Sequence, residues 1–142
     1  MGNVITIDDG LKTYDIVNKS GKLLGQFSFN PSDTNIIRRH AEVINSLEKL
    51  SENVPEDVEE ENGTEALKKI EEIIYEKVDY LLNADVARDF FAIMGPMTLL
   101  ENGQFFVENV IDAIGQAISA ETGARVKKLN TKVRKHTSKY HG

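Results

Sequence analysis

Leu23-Leu24-Gly25-Gln26-Phe27-Ser28-Phe29-Asn30-Pro31-Ser32-Asp33 changes its period half-way along. Phe27 and Phe29 alternate with Gln26 and Ser28, so a strand here carries both rings on one face. Asn30-Pro31 breaks the strand, and Ser32 or Asp33 then stands where a side-chain oxygen caps the first free N–H groups of a helix. Behind this break Ile36, Ile37, His40, Ala41, Ile44, Leu47 and Leu50 recur at helical spacing, with Arg38, Arg39, Glu42, Glu48 and Lys49 mostly on the other side. That pattern predicts an amphipathic helix of about four to five turns. A half-apolar strand running into a half-apolar helix is the mark of an α+β fold.

Upstream, Val4, Ile5 and Ile7 precede Asp9-Gly10, and Tyr14, Ile16 and Val17 precede Asn18-Lys19-Ser20-Gly21. Two or three short antiparallel strands are expected, too small a sheet to stand without packing on something else. Downstream, Glu52 to Gly63 carries Pro55, many acids and only two valines, and reads as a solvated, mobile linker. Helical spacing resumes near Thr64 with Leu67, Ile70, Ile74, Val78 and Leu81, ending near Asn83. Ala84 to Met94 reads as a short helix capped by Asp85 and stopped by Gly95-Pro96. After the Asn102-Gly103 turn, a last strong helix starts at Gln104 with Phe106, Val110, Ile114, Ala117 and Ile118 on one face. Its small positions Ala113, Gly115, Ala117 and Ala120 permit a close helix neighbour. Gly123 is a candidate stop, yet Val126, Leu129 and Val133 resume helical spacing beyond it, leaving a basic helical extension and a flexible tail both open. The expected architecture is a small N-terminal antiparallel sheet on a bundle of about four helices. Residues 1–124 form one α+β domain with an acidic linker at 52–63, and 125–142 form a basic extension.

A chain of 142 residues can bury one sizeable core. With no tryptophan and few aromatic residues, an aliphatic core is expected. The absence of cysteine removes disulfides, thiolate nucleophiles and thiolate metal sites together. No apolar run approaches the roughly 20 residues of a membrane span, and the opening residues lack the basic and apolar regions of a secretory signal. A cytoplasmic protein is therefore expected. The net charge of −6 conceals an asymmetry: acids cluster from Glu52 to Glu72, whereas every residue ionised after Glu121 is basic.

Catalytic signatures are missing. His40, His136 and His141 share no metal-ligand spacing, and His40 is expected at the edge of the helix–sheet interface. The Glu59-Glu60-Glu61 run lies in the acidic linker, where solvent denies a carboxylate the dry surroundings that tune an acid or base. No phosphate-binding glycine loop or nucleophile elbow is present. No enzyme activity, metal or cofactor is expected.

Protein binding is the chemistry left. Ala84 to Phe106 packs an unusual number of large apolar residues around Gly95-Pro96, and Phe90, Phe91, Met94, Met97 and Phe105 are the candidate partner-binding groups. The basic end, with Arg125, Lys127, Lys128, Arg134 and Lys135, is a second candidate, suited to an acidic protein surface or to the chain's own acidic linker. Non-specific nucleic-acid binding by this end is the rival reading. Against it stand the acidic remainder of the chain and the shortage of aromatic residues for base stacking.

Phe27-Ser28-Phe29-Asn30-Pro31-Ser32-Asp33-Thr34 followed by Ile36-Ile37-Arg38 resembles small tail assembly chaperones of phages and prophages of Gram-positive bacteria. The resemblance continues through Asp79-Tyr80-Leu81-Leu82, Phe90-Phe91 with Gly95-Pro96, Asn102-Gly103-Gln104-Phe105-Phe106, and Glu121-Thr122-Gly123 ahead of Tyr140-His141. It covers most of the chain from about Val17. It implies a non-enzymatic protein of the host-cell cytoplasm that binds the tape-measure protein and other tail proteins during assembly and is absent from the finished tail. The family it resembles often makes a second, extended product by ribosomal frameshifting. A homo-oligomer fits such a role. The alternatives are a structural tail protein retained in the virion and a nucleic-acid-binding regulator using the basic extension.

Overall fold

Alternation and turn chemistry build the sheet. In the computed structural model, which describes the backbone of residues 2–52 and 60–141 and the side chains outside 51–62 and 124–142, strand β1 (Lys12–Val17) pairs antiparallel with β2 (Leu23–Phe29). Tyr14 faces Phe27 and Lys12 faces Phe29 across the ladder, with a bulge between Ile16 and Val17. The connecting turn is organised by Asn18, whose Oδ1 accepts from the backbone N–H groups of Ser20 and Lys22 at 3.0 and 2.9 Å. Gly21 takes the positive φ of 85° that this turn requires. The sheet has two strands, and the possible third at Val4–Ile7 does not form. Its apolar side chains are almost fully exposed, because Asp8 and Asp9 turn back on the N–H groups of Gly10 and Leu11 instead of letting the chain reach a ladder.

Helix α1 (Thr34–Glu52) begins where the break in period placed it. Asp33 Oδ1 accepts from Asn35 N at 2.9 Å, and the Asp33 carbonyl receives Ile36 N, so Asp33 rather than Ser32 is the cap. Helix α2 (Glu60–Leu82) starts four residues earlier than expected. The expected acidic linker is thus shorter at both ends, since Glu52 closes α1, and its remainder lies outside the described residues. Asn83, at φ 52°, ends α2 in a paired closure: Ala84 N donates to Asp79 O and Asn83 N to Tyr80 O.

Helix α3 (Ala87–Phe90) is a single turn, shorter than the Ala84–Met94 segment predicts. Its cap also differs. Asp79, from the end of α2, accepts from Val86 N and Ala87 N at 2.9 and 2.8 Å, while Asp85 is exposed. No local spacing announces a cap six residues upstream of the expected one. Helix α4 (Phe106–His141) runs through Gly123 without a stop, so the backbone of the basic extension is helical. At about 1.5 Å per residue it is roughly 54 Å long, against roughly 28 Å for α1.

The result is an α+β fold, a two-stranded antiparallel sheet packed on four helices. Its core is aliphatic between the helices, with Ile36, Val43, Ile74, Val78, Leu81, Val110 and Ile114 all buried. It is aromatic where the sheet meets α3 and α4, contrary to the aliphatic expectation. Phe90 lies 4.4 Å from Phe27, 5.1 Å from Phe91 and 5.7 Å from Phe106, centroid to centroid. Gly25 makes room for this cluster: a Cβ there would lie 2.5 Å from Phe90 Cδ2. Few aromatic residues suffice because four phenylalanines from distant positions converge.

Candidate protein-binding cleft

Among the described residues the amphipathic stripes of α1 and α2 are only partly covered, and the uncovered part forms a cleft. Ile44, Leu47 and Leu50 of α1 and Ile70 of α2 make two of its walls, with Ile74, Val107 and Ile111 buried in its floor. Met97 and Phe105 close it from the segment between α3 and α4. The cleft encloses about 700 Å³ and is open to solvent.

The closing segment is held firmly. Leu99 bridges Phe105, Leu100 N donates to Gln104 O at 2.8 Å, and Gly103, at φ 85°, turns the chain between them. The first N–H groups of α4 find carbonyls in the same segment, Phe106 N on Thr98 O and Val107 N on Pro96 O. Glu108 reaches back to Phe105 N at 3.1 Å, the carboxylate half of a capping box. Met97 and Phe105 are therefore fixed as walls by the hydrogen bonds that start the helix.

The rim is acidic. Glu48, Glu108 and Asp112 border the cleft together with Gln104, and no Lys or Arg is among the described lining residues. Two of the carboxylates are engaged, Glu108 as above and Asp112 weakly with Gln104 Nε2 at 3.4 Å, whereas Glu48 has no partner among the described residues. The polar groups thus ring the cleft instead of converging inside it, a distribution suited to the apolar face of a helix and its charged flanks.

The candidate groups read from sequence separate into three sets. Met97 and Phe105 line the cleft. Phe90 and Phe91, at 6% and 3% exposure, are core residues and offer no surface to a partner, and Met94 packs half-buried against the core without lining the cleft. Here the apolar crowding of the sequence reflected packing between sheet and helices. Arg125, Lys127, Lys128, Arg134 and Lys135 lie on the described backbone of α4, but their side chains are outside the described residues. Ile44, Leu47, Leu50 and Ile70 belong to the cleft although their spacing marked them as core. Periodicity shows which face of a helix is apolar, not how much of it a neighbour covers.

His40 is not at the helix–sheet interface. It sits between α1 and α4, with Nε2 3.0 Å from Ile111 O, and its ring occupies the space left by Gly115. A Cβ at Gly115 would approach the ring to 2.8 Å, so the small positions of α4 admit an imidazole from α1. A shallower opening beside it is lined in part by His40, Asp112, Gly115, Gln116 and Ser119, and among the described residues the His40 ring bonds to Ile111 O and not to Asp112 or Ser119. Away from the cleft, Tyr80 of α2 donates its hydroxyl to Glu42 of α1, and Arg38 pairs with the same carboxylate. These two partners, the tyrosine first, hold the Glu42 carboxyl below the ordinary carboxylate range.

Among the described residues no group of three or more His, Asp or Glu is placed to hold a metal. Among the same residues no helix is long and apolar enough to cross a membrane. No family model, no curated protein and no solved structure matches the chain.

Proposed function

We propose that this chain is a non-enzymatic chaperone of phage tail assembly, acting in the host-cell cytoplasm by holding amphipathic helices of the tape-measure protein. The observation that supports this reading is the acid-rimmed apolar cleft between α1, α2 and the start of α4. A long, helical, self-associating client needs its apolar stripe covered until it is assembled. An open cleft with Met97 in its wall can accept many related stripes, because methionine adapts to irregular surfaces. The sequence resemblance supplies the biological setting, and the cleft supplies a surface that suits it.

The test is co-expression with the neighbouring tape-measure protein, followed by pull-down and a solubility comparison. The chaperone reading predicts that the client becomes soluble and co-purifies. Leu47→Asp, which puts a charge on the cleft wall, should abolish capture while thermal unfolding shows the variant to be folded. A client unaffected by the protein, together with many copies of the protein in purified tails, would favour the structural tail component instead.

A further inference from the structure

The cleft and the end of α4 are complementary halves carried by one chain. The cleft is apolar with Glu48, Glu108 and Asp112 at its rim and no basic residue among its described lining. The residues from Arg125 to Lys139 include seven lysines and arginines, no acid, and an apolar series at Val126, Leu129 and Val133. That i, i+3, i+7 spacing is the anchor pattern by which a helix enters a groove. The lengths agree, since Val126 to Val133 spans about 10 Å of helix and the Ile44–Leu50 wall about 9 Å, two turns in each case.

The two halves cannot meet within one molecule. Val107, Glu108, Ile111 and Asp112 place the cleft at the N-terminal end of α4, and the basic segment follows on the same uninterrupted helix. Their centres are roughly 30 Å apart along the axis, and a continuous helix does not fold back on itself. We infer that the basic end of α4 from a second copy of the chain occupies the cleft when no client is bound. The client then competes with self-association for one surface. The inference rests on the cleft being a helix-binding site, as in the function proposed above. Reciprocal exchange closes a dimer, and one-way exchange extends a chain of copies.

The experiment is sedimentation velocity on the full-length protein over a concentration series at low and high salt. The variants are Glu48→Lys with Asp112→Lys, which reverses the rim, and Lys128→Glu with Lys132→Glu, which reverses the helix end. Glu48 and Asp112 are exposed, and circular dichroism checks that the variants are folded. The expected result is self-association that weakens as salt rises, weakens about tenfold in each variant, and returns when the two variants are mixed, because the reversed charges again match. A monomer up to about 100 µM at low salt, or association indifferent to both reversals, would overturn the inference. Pull-down of the client by the same proteins separates the two readings. Client capture by a strictly monomeric protein removes the self-association inference alone, and self-association without client capture removes the chaperone reading alone.

Discussion

Replacing Gly25 by alanine tests how the sheet is seated on the helices. The added Cβ would lie 2.5 and 2.6 Å from Cδ2 and Cε2 of Phe90. Ordinary carbon contacts are about 3.5–4.0 Å, so the ring must retreat by about 1 Å. It has little room to do so, with Phe27 at 4.4 Å, Phe91 at 5.1 Å and Phe106 at 5.7 Å, all of them buried. Overfilling a packed core costs about 1–3 kcal/mol. Alanine returns about 0.5–1 kcal/mol by narrowing the unfolded ensemble. The net expectation for Gly25→Ala is a loss of about 1–2 kcal/mol, seen as a melting point lower by roughly 3–7 °C. Urea unfolding should show the midpoint falling with an unchanged slope. Phe90→Leu in the same background should recover part of the loss, with a coupling of about 1 kcal/mol between the two sites. A Gly25→Ala protein as stable as the parent, or additive behaviour in the double variant, would refute the packing argument.

Asp79→Ala should destabilise by about 1–3 kcal/mol in urea unfolding, because Val86 N and Ala87 N lose their acceptor and Ala87 is fully buried. Asp85→Ala, which removes no hydrogen bond seen in the structure, should stay within about 0.5 kcal/mol. Gly115→Ala should destabilise the parent although alanine is the better helix former, since the His40 ring stands in the way; in a His40→Ala background the same change should stabilise, which a double-mutant cycle by thermal unfolding would show. Tyr80→Phe should move the Glu42 titration, followed by NMR, up toward the ordinary carboxylate range. Because the folded carboxyl is held low, its contribution to stability is present above the ordinary carboxylate pKa and is lost as pH falls through the folded value, so the Tyr80→Phe chain should lose less stability over that acid window.

The local elements of this protein were largely legible in its sequence. The alternation at Phe27 and Phe29, the break at Asn30-Pro31 and the cap at Asp33 are each decided by neighbours within a few residues, and the structure repeats them. The end of α2 at Asn83 and the turn at Asn102-Gly103 belong to the same class. Such features depend on backbone sterics and short-range hydrogen bonds, which a linear pattern encodes directly.

What joins the elements was decided in three dimensions. Asp79 caps a turn that its own helix does not contain, and His40 finds its seat on Gly115, 75 residues away in sequence. Four phenylalanines meet only because the sheet folds onto α3 and α4. The candidate cleft shows the same division. The stripe containing Ile44, Leu47 and Leu50 was visible, and so was the apolar character of Phe90 and Phe91. Which of them a neighbour would bury was not, because burial is a property of the space between elements. Tertiary packing took the phenylalanines into the core and left part of the α1 stripe open, and in that difference lies the candidate cleft.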